Sequence, residues 1–166
     1  MLKFMPQQFT FQDFYSNKID QLKLSEALDL HYELNQQFTP WHKYSSPEAR
    51  NLIRSHDISH IIFGSDTSYG GEYTVQTWVK FGANINIPKS QIHKYLFNRD
   101  LIQIVLPPKL ISYSVMHILE FRKIKKDVKT QVGLMTKKWE YFQEENYLDK
   151  TVGEIRLEYG IRLLED

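Results

Sequence analysis

The chain has 166 residues, enough for one ordinary domain with a substantial core, and no shift in composition along it marks a second. Twenty-one Lys and Arg against twenty Asp and Glu leave a formal net charge of +1, which gives no electrostatic case for a nucleic-acid partner or for steering of charged ligands. With no cysteine, disulfides, thiolate zinc sites, iron–sulfur clusters and cysteine nucleophiles are excluded, so any metal must be held by nitrogen and oxygen.

Leu24, Ala27, Leu28 and Leu34 recur near three- and four-residue spacing and predict an amphipathic helix from about Leu22 to Phe38. Thr39-Pro40-Trp41-His42 breaks it. Ser45-Ser46-Pro47-Glu48 then combines a serine N-cap, a proline in the first turn and an early glutamate, predicting a helix over Pro47 to Phe63 with Gly64 as its stop. Ser65 to Gly71 reads as a turn-rich loop, short enough to fold a following helix, Glu72 to Phe81, back antiparallel and return Glu72 beside His60.

Pro88-Lys89-Ser90 restarts a helix toward Leu106, although Leu101-Ile102-Gln103-Ile104-Val105-Leu106 is also strand-like and lacks an evident partner strand. After Pro107-Pro108 a long helical pattern runs from about Lys109 to Gln143, bent near Gly133. Thr151-Val152-Gly153-Glu154 is a capping box opening a last helix through Tyr159, which Gly160 ends. The expected fold is all-α, one domain over residues 1–166 with about six or seven helices and its core between about 20 and 161. Ten Phe, ten Tyr and three Trp are read first as core filling. No apolar run approaches the ~18 residues of a membrane span, and Met1 to Thr10 does not resemble a leader, so a cytoplasmic chain, or one peripheral to the inner membrane, is expected.

The chemistry concentrates in His56-Asp57-Ile58-Ser59-His60, followed after eleven residues by Glu72. Histidines four apart on a helix share one face, so two imidazole nitrogens can converge on a divalent cation, and Asp57 and Glu72 offer hard oxygen ligands. Asp57 lies ~100° around the helix from His56, and Arg50 and Arg54 are placed to pair with it instead. The zinc-protease HExxH differs in having a glutamate general base where Asp57 stands. An HD-type phosphohydrolase would add an upstream histidine, His31 or His42, and a downstream aspartate, Asp100 or Asp127. His31, His42, His93 and His117 have no ligand spacing of their own and are read as surface or core residues, and Asp66 as a turn former. Arg122, Lys123, Lys125, Lys126 and Lys129, with Lys137 and Lys138, form a basic face, solvated or in contact with anionic lipid or a partner enzyme.

Taken with Gly64 and Gly71, the His56-Asp57-x-x-His60 to Glu72 spacing resembles the signature of the coenzyme Q biosynthesis protein 4 family, and Lys138-Trp139-Glu140 and Glu154-Ile155-Arg156 to Ile161 resemble its weaker C-terminal elements. The resemblance covers roughly Pro47 to Ile161, with only the first motif specific, and Trp78-Val79-Lys80-Phe81 departs from the family's continuation. It implies an all-helical fold with an apolar channel for a polyprenyl chain and a divalent ion, zinc first, held by His56, Asp57, His60 and Glu72. It further implies a role in ubiquinone assembly: decarboxylation and hydroxylation of a prenylated hydroxybenzoate-type ring, or non-catalytic scaffolding of other quinone biosynthesis enzymes, with a homodimer left open.

Overall fold

A computed structural model describes residues 10–87 and 117–164. Among these the chain forms six α-helices: α1 (Phe11–Phe14), α2 (Leu24–Leu34), α3 (Pro47–Phe63), α4 (Tyr69–Gly82), α5 (Ile118–Val132) and α6 (Val152–Tyr159). The only strands among the described residues are β1 (Ala83–Asn84) and β2 (Trp139–Glu140), a two-residue parallel pair. The fold is all-α, as expected. The expected helix after Pro88, the strand-like run Leu101–Leu106 and the start of the long helical pattern lie outside the described residues.

α3 is the central element, packed against α2, α4 and α6, while α4 lies along α5. Its boundaries match those read from the sequence. Ser46 Oγ accepts the Ala49 N–H at 3.0 Å, Pro47 takes the first position, and Gly64 closes the helix at φ 61°, with Ser65 N–H donating to the His60 carbonyl at 3.0 Å. Ile58, Ile61, Ile62 and Phe63 are buried along it, and Phe63 stacks on Trp78 of α4 with ring centroids 4.8 Å apart. Trp78, Trp139, Tyr159 and Phe14 are likewise fully buried, so the large aromatics do fill the core.

Gly64 has two reasons to be glycine. Its φ is left-handed, and a Cβ there would lie 2.8 Å from both the Leu163 side chain and the Tyr15 carbonyl. Gly64→Ala should destabilise the chain by at least ~1–2 kcal/mol, the cost of left-handed backbone for a residue with a Cβ. Urea unfolding would show this as a lower midpoint at unchanged slope.

Three boundaries differ from expectation, each for a local reason. α2 stops at Leu34, not near Phe38, because the Asn35 amide donates to the His31 carbonyl at 2.8 Å and to Tyr15 Oη at 3.0 Å, competing with the helix. α4 starts at Tyr69, inside the expected loop: Ser68 caps it by accepting Gly71 N–H, and Asp66 Oδ1 accepts from both Ser68 N–H and Ser68 Oγ. Gly71 is demanded by close approach, since a Cβ would meet the Asp66 carbonyl at 2.0 Å. α5 ends at Val132 and does not run on to Gln143. Beyond it Thr136 N–H donates to the Tyr159 carbonyl, and β2 pairs with β1 while burying Trp139 against Tyr147 and Tyr159.

The C-terminal helix begins on the capping box read from the sequence, with Thr151 and Glu154 bonded reciprocally, and ends at Gly160 with φ 66°. From it Arg156, 4% exposed, reaches into the core. Its guanidinium donates to the carbonyls of Ile61 at 2.7 Å, Ile62 at 3.0 Å and Ser16 at 3.1 Å, and pairs with Asp20 at 2.7 Å. Arg156 thus satisfies two of the last carbonyls of α3, the helix that carries the two histidines. No helix among the described residues is long and apolar enough to cross a membrane.

Candidate metal centre

α3 contributes His56 and His60 from one face, one turn apart, and the first turn of α4 brings Glu72 against them. The three approach one another equally: His56 Nε2 to His60 Nε2, His56 Nε2 to Glu72 Oε2, and His60 Nε2 to Glu72 Oε1 are each 3.2 Å. Bonds of ~2.0–2.1 Å to a tetrahedral ion would set ligand atoms ~3.3–3.4 Å apart, close to each of these contacts. Glu72 meets the two histidines through different oxygens, and with one atom taken from each residue the three lie within 4.8 Å of one another.

The proton positions reinforce the reading. His60 Nδ1 lies 2.8 Å from the Ser65 carbonyl, which the left-handed turn at Gly64 swings back toward the helix. A carbonyl only accepts, so Nδ1 carries hydrogen, and in the neutral ring Nε2 presents its lone pair. Glu72 Oε1 lies 3.2 Å from that nitrogen, so the contact needs positive charge there, supplied by a second ring proton in the metal-free chain or by a metal ion in place of that proton. An outer hydrogen bond of this kind is how ligating histidines are oriented. His60 is buried, whereas the side chains of His56 and Glu72 are 25% and 28% exposed, so the triad is reachable from solvent.

Burial disfavours charge on His56, but the hydrogen bond and charge of Glu72 outweigh it and hold His56 above its ordinary 6.5. Burial likewise opposes ionised Glu72, yet the hydrogen bonds of His56 and His60 prevail and hold it below its ordinary 4.5. The metal-free pair therefore stabilises the fold while both are charged: the Glu72 contribution is lost as pH falls through its lowered value, the His56 contribution as pH rises through its raised one. A metal must displace the His56 proton. Calorimetric titration with zinc should show affinity weakening at least ~tenfold from ~pH 8 to ~pH 6, with proton release on binding. A flat profile would contradict ligation by His56.

Asp57, the fourth expected ligand, is not among these three converging groups. Its carboxylate turns to α2, where Tyr32 Oη donates to Oδ2, and Oδ1 lies 4.0 Å from His31 Nε2. Burial pushes Asp57 up to about 6, against the opposing pull of His56 and the Tyr32 hydrogen bond. The expected pairing of Asp57 with Arg54 gives way to another: Arg54 donates to Glu144 at 3.0 Å and Glu145 at 2.8 Å and stacks over Trp41. Of the histidines left aside, His31 is fully buried beside the site, its ring 6.1 Å from that of His60. His42 packs on Trp41 and His117 pairs with Glu120, while His93 and Asp100 lie outside the described residues. Asp127 pairs with Lys123 on α5 and is not among the three converging groups.

His31, Tyr15, Tyr32 and Asn35 had no motif to announce them. The available signal was spacing: His31 falls on the stripe of Leu24, Ala27 and Leu28, all buried, which places an imidazole in the core. The basic side chains of α5 are exposed, and Lys137 pairs with Glu158. On the other side of the Ser65 turn lies a cleft of about 870 Å³, bounded by Tyr15, Phe63, Asp66, Glu120 and Arg162 among others. An enclosed apolar channel is not seen among the described residues. Comparison of the chain with protein-family models, with curated proteins and with solved structures returns no match, so the likeness to the quinone-biosynthesis signature rests on the residues that carry it.

Proposed function

We propose that this chain is a divalent-metal protein of quinone biosynthesis, with zinc the first candidate, that binds a polyprenylated aromatic acid and exchanges its ring carboxyl for hydroxyl. The observation that carries the metal is the convergence of His56, His60 and Glu72, one ligand atom from each within 4.8 Å of the others, with His60 oriented by Ser65. Support for the ring chemistry is the signature spacing of those same residues. A divalent ion held there supplies Lewis-acid stabilisation of negative charge on a carboxylate or phenolate. His56 and Glu72 stay partly exposed and leave room for such a group, while half-buried Asp57 and Tyr32 border the site on the α2 side. Releasing carbon dioxide and installing hydroxyl consumes an oxidant, dioxygen or one delivered by a partner enzyme. The prenyl tail would need an apolar path, and the basic face of α5 offers contact with an anionic membrane surface or a partner.

The second reading keeps the ion and the lipid but removes turnover, leaving a scaffold for other quinone biosynthesis enzymes. Native mass spectrometry of the full chain as purified tests both by weighing metal and extracted lipid together. The enzyme reading expects one divalent ion, a co-purified isoprenoid and carbon dioxide release from a prenylated hydroxybenzoate that depends on His56. Ion and lipid with no turnover would favour the scaffold, and His56-dependent phosphate release from nucleotides would replace both with a phosphohydrolase.

A further inference from the structure

A chain of hydrogen bonds leads from the surface turn into the core and fixes the direction of one buried imidazole. Thr67 Oγ1 donates to Asn35 Oδ1 at 2.8 Å, which assigns the Asn35 amide so that Nδ2 donates to Tyr15 Oη at 3.0 Å. Tyr15 Oη then accepts from Asn35 and retains one proton to give, and His31 Nδ1 stands 3.2 Å away. With Nδ1 as acceptor, the neutral His31 ring carries its hydrogen on Nε2. That N–H is fully buried and has no hydrogen-bond partner among the described residues.

Its direction is informative. Asp57 Oδ1 lies 4.0 Å from His31 Nε2, too far for a direct bond, while Tyr32 holds the other carboxylate oxygen. An oxygen at ~2.6–2.8 Å from both atoms would see them at an angle of ~90–100°, close to the geometry of one protic oxygen that accepts from the imidazole and donates to the carboxylate. A buried donor left without an acceptor is costly, so the pair is built around something. We infer that His31 Nε2–H and Asp57 Oδ1 form a seat for a hydroxyl group of the ligand beside the His56, His60 and Glu72 triad. The seat selects a ligand that presents a hydroxyl next to its metal-seeking group over one that presents an ether. It rests on the metal reading of the triad, and it gives Asp57 a role other than ligation.

The test uses the full chain loaded with cobalt(II), whose visible bands report a bound ligand, with metal content measured on the same samples. The probes are salicylate and 2-methoxybenzoate, a carboxylate beside a hydroxyl and beside a methyl ether. Wild type should bind salicylate at least ~tenfold more tightly, since a site built to hydrogen-bond a hydroxyl rejects the analogue lacking it. His31→Phe and Asp57→Asn should retain cobalt and lose the preference, and His31→Gln, which keeps a donor, should recover part of it. Cobalt uptake with no preference in wild type would overturn the seat and leave the metal reading intact, as a bridging water alone would produce. Loss of cobalt from both His31 variants, with unchanged circular dichroism, would make His31 part of the metal-holding set and also overturn it. No uptake by wild type would overturn the metal reading and the seat with it.

Discussion

Arg156→Met should be among the most damaging single changes in the chain, lowering stability by ~3–5 kcal/mol and Tm by roughly 6–20 °C for a chain of this size. The methionine fills much of the same volume but leaves the carbonyls of Ile61, Ile62 and Ser16 without their donor and Asp20 without its partner. Arg156→Lys should rescue little, because a single ammonium cannot span acceptors that Nε, Nη1 and Nη2 reach from different edges of the planar guanidinium. Thermal unfolding followed by circular dichroism measures both variants. A shift under about 2 °C for Arg156→Met would mean that the α3 carbonyls find other donors. Since Arg156 holds the end of α3 that bears His60, the same variant should also weaken metal binding.

His60→Ala should remove tight divalent-metal binding, weakening it by more than ~100-fold, beyond the ~10–100-fold that loss of an outer partner costs. Glu72→Gln, which keeps size and removes charge, should have a similar effect because it takes away the only carboxylate among the three converging groups. Asp57→Asn should cost far less, since its carboxylate faces Tyr32 and His31. Metal content after dialysis, set against zinc affinity, ranks the three. Loss from Asp57→Asn equal to that from His60→Ala would return Asp57 to the ligand set.

The contrast between His60 and Asp57 shows what local pattern reveals. α3 could be bounded to the residue because its signals are local: Ser46 and Pro47 at one end, Gly64 at the other, with the histidines one turn apart between them. Glu72 followed from chain length alone, because a short turn after a C-cap leaves the next helix few places to go. The start of α4 was less legible, since Gly70 and Gly71 suggest a loop, and only the fold reveals that Gly71 accommodates the Asp66 backbone. Asp57 and Arg54 needed knowledge of which neighbours α3 meets around its circumference, and that is tertiary information: Tyr32 arrives from α2, Glu144 from near the C-terminus. For the same reason His31 read as an ordinary core or surface histidine, its position beside the site being set by the packing of α2 on α3.

X-ray absorption at the zinc edge, on the full chain loaded with zinc and freed of excess ion, reads the ligand set at the ion itself. One ion per chain is expected, with nitrogen and oxygen neighbours at ~2.0–2.1 Å and the outer-shell scattering of two imidazoles, reduced to one in His60→Ala. A chain that retains no zinc, or one whose zinc is surrounded by oxygen without imidazole scattering, would contradict the metal centre.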